Sequence, residues 1–248
     1  MKCSKLKGTT EMGLYRFMVG SIFVCASWAC SANYSTSIYQ DYPPHGQRTV
    51  DDVRNRYSPI IVPRLTRLFA ASGISYPPER LGLFAIKEDA ALELWAKQGG
   101  AWSYIKRYVV KKQSGVLGPK LREGDKQVPE GIYRVIGLNP NSRFHLSMKL
   151  NYPNHFDLQH AQKEQRHQPG SNIFIHGRAS SVGCLAMGDV AIEELFIAVE
   201  TVGVENVDVV ISPTDPRKGP LIATSELPYW TTNLYRNIEE AAEKFGRQ

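Results

Sequence analysis

His176 and Cys184 are the residues of this 248-residue chain best placed to do covalent chemistry together, eight positions apart. A free thiol is only a few per cent ionised at neutral pH. An imidazole in reach can take its proton and leave a thiolate, the nucleophile of acyl transfer. Gly177 and Gly183 relieve crowding beside each group. If the amides of Val182, Gly183 and Cys184 turn inward, they form an oxyanion hole, with Gly183 as a backbone donor. Ser181 carries a hydroxyl able to brace the loop by hydrogen bonding. No Asp or Glu lies between Ile173 and Met187, so a backbone carbonyl or a distant hydroxyl must orient the imidazole. The alternative reading is structural, with His176 satisfied at a strand end and Cys184 packed as a small residue.

These groups need a framework. The apolar run Ile173-Phe174-Ile175 reads as a buried strand that ends on His176. Upstream, Leu81–Lys87, Leu92–Lys97, Trp102–Lys111, Gly131–Gly137 and His145–Asn151 read as strands, and Ala90–Ala96 also suits a short helix. Gly115, Gly118-Pro119 and Gly124-Asp125 mark a long loop, and Asn139-Pro140-Asn141-Ser142 reads as a turn. Tyr152–Gly170 has no clear period and reads as a surface loop or lid. Downstream, Asp189 is the expected N-cap of a helix carrying Ile192, Leu195, Phe196 and Val199, with Gly203 as its C-cap. Val207–Ile211 is a short buried strand. Leu234, Ile238, Ala241, Ala242 and Phe245 form one face of an amphipathic C-terminal helix. From Thr49 to Ala71 the spacing is helical, and Pro59 and Pro63 are expected to break it into two pieces. Six or seven strands with few helices make a mostly-β, β-rich α+β fold.

The N-terminus predicts export. Lys2, Lys5 and Lys7 precede an apolar run, Phe17–Ala29, about a dozen residues long, too short to cross a bilayer comfortably and right for a signal peptide. Residues 1–32 are therefore expected to be a signal peptide or an N-terminal anchor, with a lipidated Cys30 as a further alternative. All three put the body outside the cytoplasm, with membrane contact only through this segment. Cys3, Cys25 and Cys30 lie in it, so the mature body keeps Cys184 alone. An exported chain with one thiol does not rely on disulfides.

Residues 33–80 are then a Pro/Gly-punctuated linker and a helical segment, 81–212 the catalytic domain, and 213–248 a C-terminal helical extension. The net charge of +6 suits a carboxylate-rich partner. Lys and Arg form no block with interleaved aromatics, so nucleic acid is not expected as a partner. His155, His160 and His167 lack compact zinc spacing and a cysteine partner, and read as solvated; no metal and no cofactor is expected.

His-Gly, a short loop and Ser-x-Gly-Cys-x-x-Met resemble the active-site signature of the YkuD-type L,D-transpeptidase family, and more closely its YafK-like branch. The blocks Ser114-Gly115-x-x-Gly118-Pro119-Lys120, Glu123-Gly124-Asp125, Val128-Pro129-Glu130-Gly131-Ile132-Tyr133 and Leu138–Ser142 followed by Tyr152-Pro153-Asn154 agree. The resemblance covers roughly Leu81 to Ser212. It implies a catalytic β-sandwich or barrel with flanking helices, Cys184 as nucleophile and His176 as general base and acid. It also implies a peptidoglycan stem-peptide substrate, cut after the L-centre of diaminopimelate through a thioester, in the periplasm or cell envelope. Lys120, Arg122 and Arg178 lie in loops expected to border the site and to meet diaminopimelate carboxylates. Many family members carry a second histidine just before Gly-Cys; here that position is Val182. The acyl acceptor is therefore open between an amine and water. The alternatives are a hydrolase (an L,D-carboxypeptidase, or an amidase detaching a wall-anchored lipoprotein) and a non-catalytic wall-binding module.

Overall fold

The structure is a computed structural model that describes residues 42–246. The predicted signal segment lies outside the described residues.

Eight strands form one mixed sheet in the order β3-β2-β1-β8-β4-β5-β6-β7. They are β1 (Arg80–Ile86), β2 (Ala91–Gln98), β3 (Ala101–Val109), β4 (Gly131–Ser142), β5 (His145–Leu150), β6 (Phe174–His176), β7 (Leu185–Ala186) and β8 (Val207–Ser212). The β1/β8 and β6/β7 pairs are parallel and the others antiparallel. Among the described residues four α-helices accompany the sheet: α1 (Val50–Ala71), α2 (His155–Lys163), α3 (Asp189–Val202) and α4 (Thr231–Ala242).

Strand β1 explains the layering. It is buried on both faces, as its near-continuous apolar run requires. Leu81, Leu83 and Ala85 join the core formed with Ile61, Leu65 and Phe69 of α1 and Leu195, Phe196 and Val199 of α3. Phe84 and Ile86 join a second core with Trp95, Val210 and Leu234, Tyr235 and Ile238 of α4. Helices therefore cover both faces of the sheet, and the β-rich α+β expectation holds, with eight strands and four α-helices among the described residues.

Helix α1 is not broken. Pro59 and Pro63 lie inside one 22-residue helix. Both prolines face solvent, while Val53, Ile61, Leu65 and Phe69 form an i, i+4 stripe against the core. Packing of that stripe offsets two missing amides whose freed carbonyls are open to water. Thr49 and Asp52 close a capping box at its start.

Four further expectations are corrected. Asn139–Ser142 is not the turn; β4 runs on through it with a register irregularity, and the reversal falls at Arg143-Phe144. The Asn141 side chain explains this. It accepts from the N–H groups of Gly46 and Arg48 and donates to the Arg48 carbonyl, so the segment before α1 clamps the strand end. Tyr152–Gly170 contains α2, started by an Asn154/Asp157 capping box. His160 in it is buried rather than solvated, stacked on Trp230 at 4.6 Å between ring centroids. Asp189 does not cap α3; Gly188 holds that position, and the Asp189 carboxylate instead accepts the Arg178 N–H at 2.7 Å.

Candidate active site

Strand β6 sits between β5 and β7 and places the histidine. Ile175 pairs with Leu185 and His176 with Ala186 in parallel register. Cys184 stands one residue before β7, beside Phe174. His176 ends β6 and Cys184 stands in the bend that leads into its parallel neighbour, with Sγ against the backbone of the segment that enters β6. A further segment lines the other edge of β7, where Lys112 bridges Ala186 in antiparallel sense.

His176 is buried, 1% exposed. Its Nδ1 lies 2.6 Å from the Gly177 carbonyl oxygen. A carbonyl only accepts, so Nδ1 carries the proton and Nε2 keeps its lone pair. The orienting group is thus a backbone carbonyl. Phe144 stacks on the imidazole, 4.4 Å between centroids at 25°. Burial lowers the His176 pKa below its ordinary 6.5, and the bond to Gly177 opposes this.

Gly177 is required by space. A Cβ there would stand 2.6 Å from the Phe144 carbonyl oxygen and 2.8 Å from Asp189 Oδ1. Gly183 is required by conformation, with φ +94°.

Cys184 is half-buried and is the free cysteine among the described residues. Burial pushes its thiol pKa up from the ordinary 9.0; the Phe174 N–H and the positive charge of Lys120 pull the other way. The Sγ faces the Asn172 carbonyl oxygen at 3.9 Å. Among the described residues no hydrogen bond joins Sγ to the imidazole.

The cysteine loop is held by two hydroxyls. The Cys184 N–H donates to Ser181 Oγ at 3.0 Å, and that hydroxyl donates to the Cys184 carbonyl at 2.5 Å. The Gly183 N–H donates to Ser114 Oγ at 2.7 Å, and Ser114 donates to the Lys126 carbonyl at 2.7 Å. Two of the three amides expected to form the oxyanion hole, those of Gly183 and Cys184, therefore already have hydroxyl partners. An incoming oxyanion would have to replace them.

The three predicted substrate cations are placed differently. Lys120 is buried, its ammonium ion-paired to Asp125 and bonded to the Arg122 carbonyl at 2.9 Å. It acts on the thiol through its charge rather than as a free arm. Arg122 is exposed and lines a groove of about 590 Å3 with Leu117, Pro119, Gln127, Arg166 and Leu227. Gln127 leads from that groove to the cysteine loop, since its carbonyl oxygen is 3.3 Å from where a Gly183 Cβ would stand. Arg178 is exposed at the start of the loop that ends at Cys184.

Sequence reasoning did not assign roles to Ser114, Phe144, or the Lys87–Glu130 pair beneath the loop. Ser114 and Glu130 lie in the blocks that carry the family resemblance, which was a usable signal. Among the described residues no cluster of His, Cys, Asp and Glu is arranged to hold a metal ion. No described helix is long and apolar enough to cross a membrane.

A thiol and a Nδ1-pinned imidazole carried by neighbouring segments of a mixed sheet define a candidate cysteine acyl-transfer site. Residues 82–211 match the L,D-transpeptidase catalytic domain, YkuD, and the chain belongs to that family. It is similar to YafK of Escherichia coli (strain K12), a protein provisionally named an L,D-transpeptidase. The two are 38% identical over 112 residues, which is 44% of this chain and 43% of YafK. The YafK of Escherichia coli O157:H7 matches equally. The match thus spans less than half the length of these curated relatives. Among solved structures the chain is similar to Pgp2 of Campylobacter jejuni, described as a helical cell shape determining protein. That likeness is at 22% identity and TM-score 0.45, covering 55% of this chain and 48% of that one. Bd1075 of Bdellovibrio bacteriovorus is similar at 20% identity and TM-score 0.41, covering 66% and 56%.

Proposed function

We propose that the protein is an exported, cysteine-dependent L,D-transpeptidase acting on peptidoglycan stem peptides. What supports the reading is the Nδ1–H of His176 held by the Gly177 carbonyl at 2.6 Å, leaving Nε2 for proton work beside the strand that follows Cys184, in a chain of this family.

The reaction has two halves. His176 Nε2 takes the Cys184 proton, and Sγ attacks the carbonyl carbon at the L-centre of diaminopimelate. The tetrahedral oxyanion is met by the Gly183 and Cys184 amides as the serine hydroxyls give way. Collapse breaks the amide bond, and the leaving D-amino acid takes the proton back from His176. A thioester remains. An acceptor amine then attacks it, gives its proton to His176, and displaces the Cys184 thiolate, which recovers the proton. Residues 81–212 are the proposed catalytic domain, and residues 1–32 the export segment that delivers it to the periplasm.

The test is incubation of the protein with defined muropeptides, with products read by mass. A cross-linked dimer with release of a D-amino acid supports transpeptidation. A shortened stem peptide without cross-link makes water the acceptor. Loss of a lysine remnant would instead indicate detachment of a wall-anchored lipoprotein. Unchanged processing by Cys184→Ala or His176→Ala would refute the mechanism. Cell fractionation tests the export step, and recovery of the protein from the cytoplasm alone would refute it.

A further inference from the structure

Residues other than glycine seldom adopt positive φ, and each such residue calls for a reason. Six occur among the described residues. Four of them, Lys126, His145, Asn172 and Arg178, lie around the candidate site, with φ of 56°, 76°, 53° and 56°. Two have local explanations. Asn tolerates this region, and the Asn172 carbonyl faces the thiol. His145 bonds Glu193 at 2.7 Å. Lys126 and Arg178 hold this conformation with side chains that do not favour it. Both are exposed, and neither head group makes a hydrogen bond or ion pair among the described residues.

Their backbones, by contrast, are pinned on either side of the cysteine loop. The Lys126 carbonyl accepts from Ser114 Oγ, the same oxygen that receives the Gly183 N–H. The Lys126 carbonyl carbon is 3.7 Å from where a Cβ on Gly183 would sit. At the other end of the loop the Arg178 N–H donates to Asp189 and its carbonyl accepts the Gly188 N–H at 2.9 Å. A turn that needed only this backbone shape would be served by glycine at lower cost. Both positions instead hold a long cation with its charge in solvent.

We propose that Lys126 and Arg178 are paired specificity-determining residues that take carboxylates of the donor peptide from either side of Cys184. This rests on the proposed activity and deepens it, adding Lys126 and the pairing. Arg178 offers a planar fork suited to bidentate carboxylate binding, and Lys126 a point charge. The rigid backbone beneath each limits the ordering that binding requires.

Glycine and glutamine separate recognition from scaffolding. Lys126→Gly and Arg178→Gly remove charge and backbone strain together; Lys126→Gln and Arg178→Gln remove charge alone. In the full chain, with a tetrapeptide muropeptide, each of the four is expected to raise KM about 5- to 10-fold. Turnover at saturation and the rate of Cys184 alkylation by iodoacetamide should stay within about twofold of wild type. The glycine variants should unfold within about 2 °C of wild type, since relief of strain offsets the entropy glycine adds to the unfolded chain. A muropeptide with its carboxylates amidated should lose its preference for wild type over the variants. If wild type turns over the muropeptide and all four variants keep its KM, the assignment is wrong. It is also wrong if alkylation falls in parallel with turnover, which would mean the residues only scaffold the loop. If wild type neither turns over nor binds the muropeptide, the proposed activity itself fails.

Discussion

Phe144 stacks on His176 with ring centroids 4.4 Å apart and planes 25° from parallel. The ring stands at the β4–β5 reversal, and the Phe144 carbonyl fills the space a side chain at Gly177 would need. It shields one face of the imidazole from water and limits its rotation about the bond to Gly177. Phe144→Ala should therefore raise the pKa of His176 toward its ordinary value and lower turnover by roughly tenfold, the scale of a misaligned general base. Phe144→Tyr, which keeps the stack, should restore both. The check is the acid limb of the pH profile of kcat, and a profile unchanged in Phe144→Ala would contradict this role.

The thiol and the imidazole are shifted in directions that keep both neutral. Burial raises Cys184 above 9.0 and lowers His176 below 6.5. The free protein should accordingly hold a thiol beside a neutral imidazole rather than a preformed ion pair. Alkylation of Cys184 by iodoacetamide should be slow at pH 7 and climb with a midpoint above the ordinary thiol value. A flat, fast plateau from about pH 5 to pH 8, the mark of a thiolate–imidazolium pair, would show the opposite.

Lys87 and Glu130 form a buried ion pair at 2.8 Å, 4% and 1% exposed. Lys87 also donates to the Gly118 and Val128 carbonyls, and Glu130 accepts from the Gly118 N–H and the Tyr235 hydroxyl. The pair joins the end of β1 to the loop that carries Ser114 and Lys126, and onward to α4. Lys87→Met leaves a buried carboxylate without its cation and should cost about 3–5 kcal/mol in denaturant unfolding. Adding Glu130→Gln removes the stranded charge and keeps one acceptor oxygen for the Gly118 N–H, while the Tyr235 hydroxyl can turn to accept from the new amide, so the double variant should recover more than half of that loss.

Asp157 caps α2 from a buried position, and burial raises its pKa from 3.8 to about 6. Between those values the native state binds more protons than the unfolded chain. Stability should therefore fall as pH rises through that window and level off above it. The shift corresponds to on the order of 2–3 kcal/mol. Asp157→Asn keeps an oxygen for the Asn154 N–H and should flatten the slope. Urea unfolding at pH 4.5 and pH 7.5 measures this, and an equal slope in both proteins would contradict it.

The parts of the fold legible from the sequence are those where burial and period coincide. Strand β1 reads as apolar because both of its faces are covered, and β6 ends on His176 where the run Ile173–Ile175 stops. Helix α2 was not legible, because its exposed face is polar and its start depends on an Asn154/Asp157 box that no apolar period announces. Continuity of α1 through two prolines depends on tertiary packing of Ile61, Leu65 and Phe69, which local propensity cannot express. At the site, Cys184 and His176 were identifiable from residue type and spacing. Phe144 was not, because it reaches the imidazole from a reversal 32 residues before His176; Ser114, 70 residues before Cys184, was marked only by the family-like block it lies in.

The proposed activity requires that Cys184 become acylated by a stem peptide. Intact-protein mass spectrometry after rapid mixing with a tetrapeptide muropeptide tests it most directly. A covalent adduct on Cys184 equal to the muropeptide less its terminal D-amino acid is expected. The adduct should be absent in Cys184→Ala and cleared when an acceptor amine is added. Free D-amino acid without any adduct, or an adduct that persists in Cys184→Ala, would contradict it.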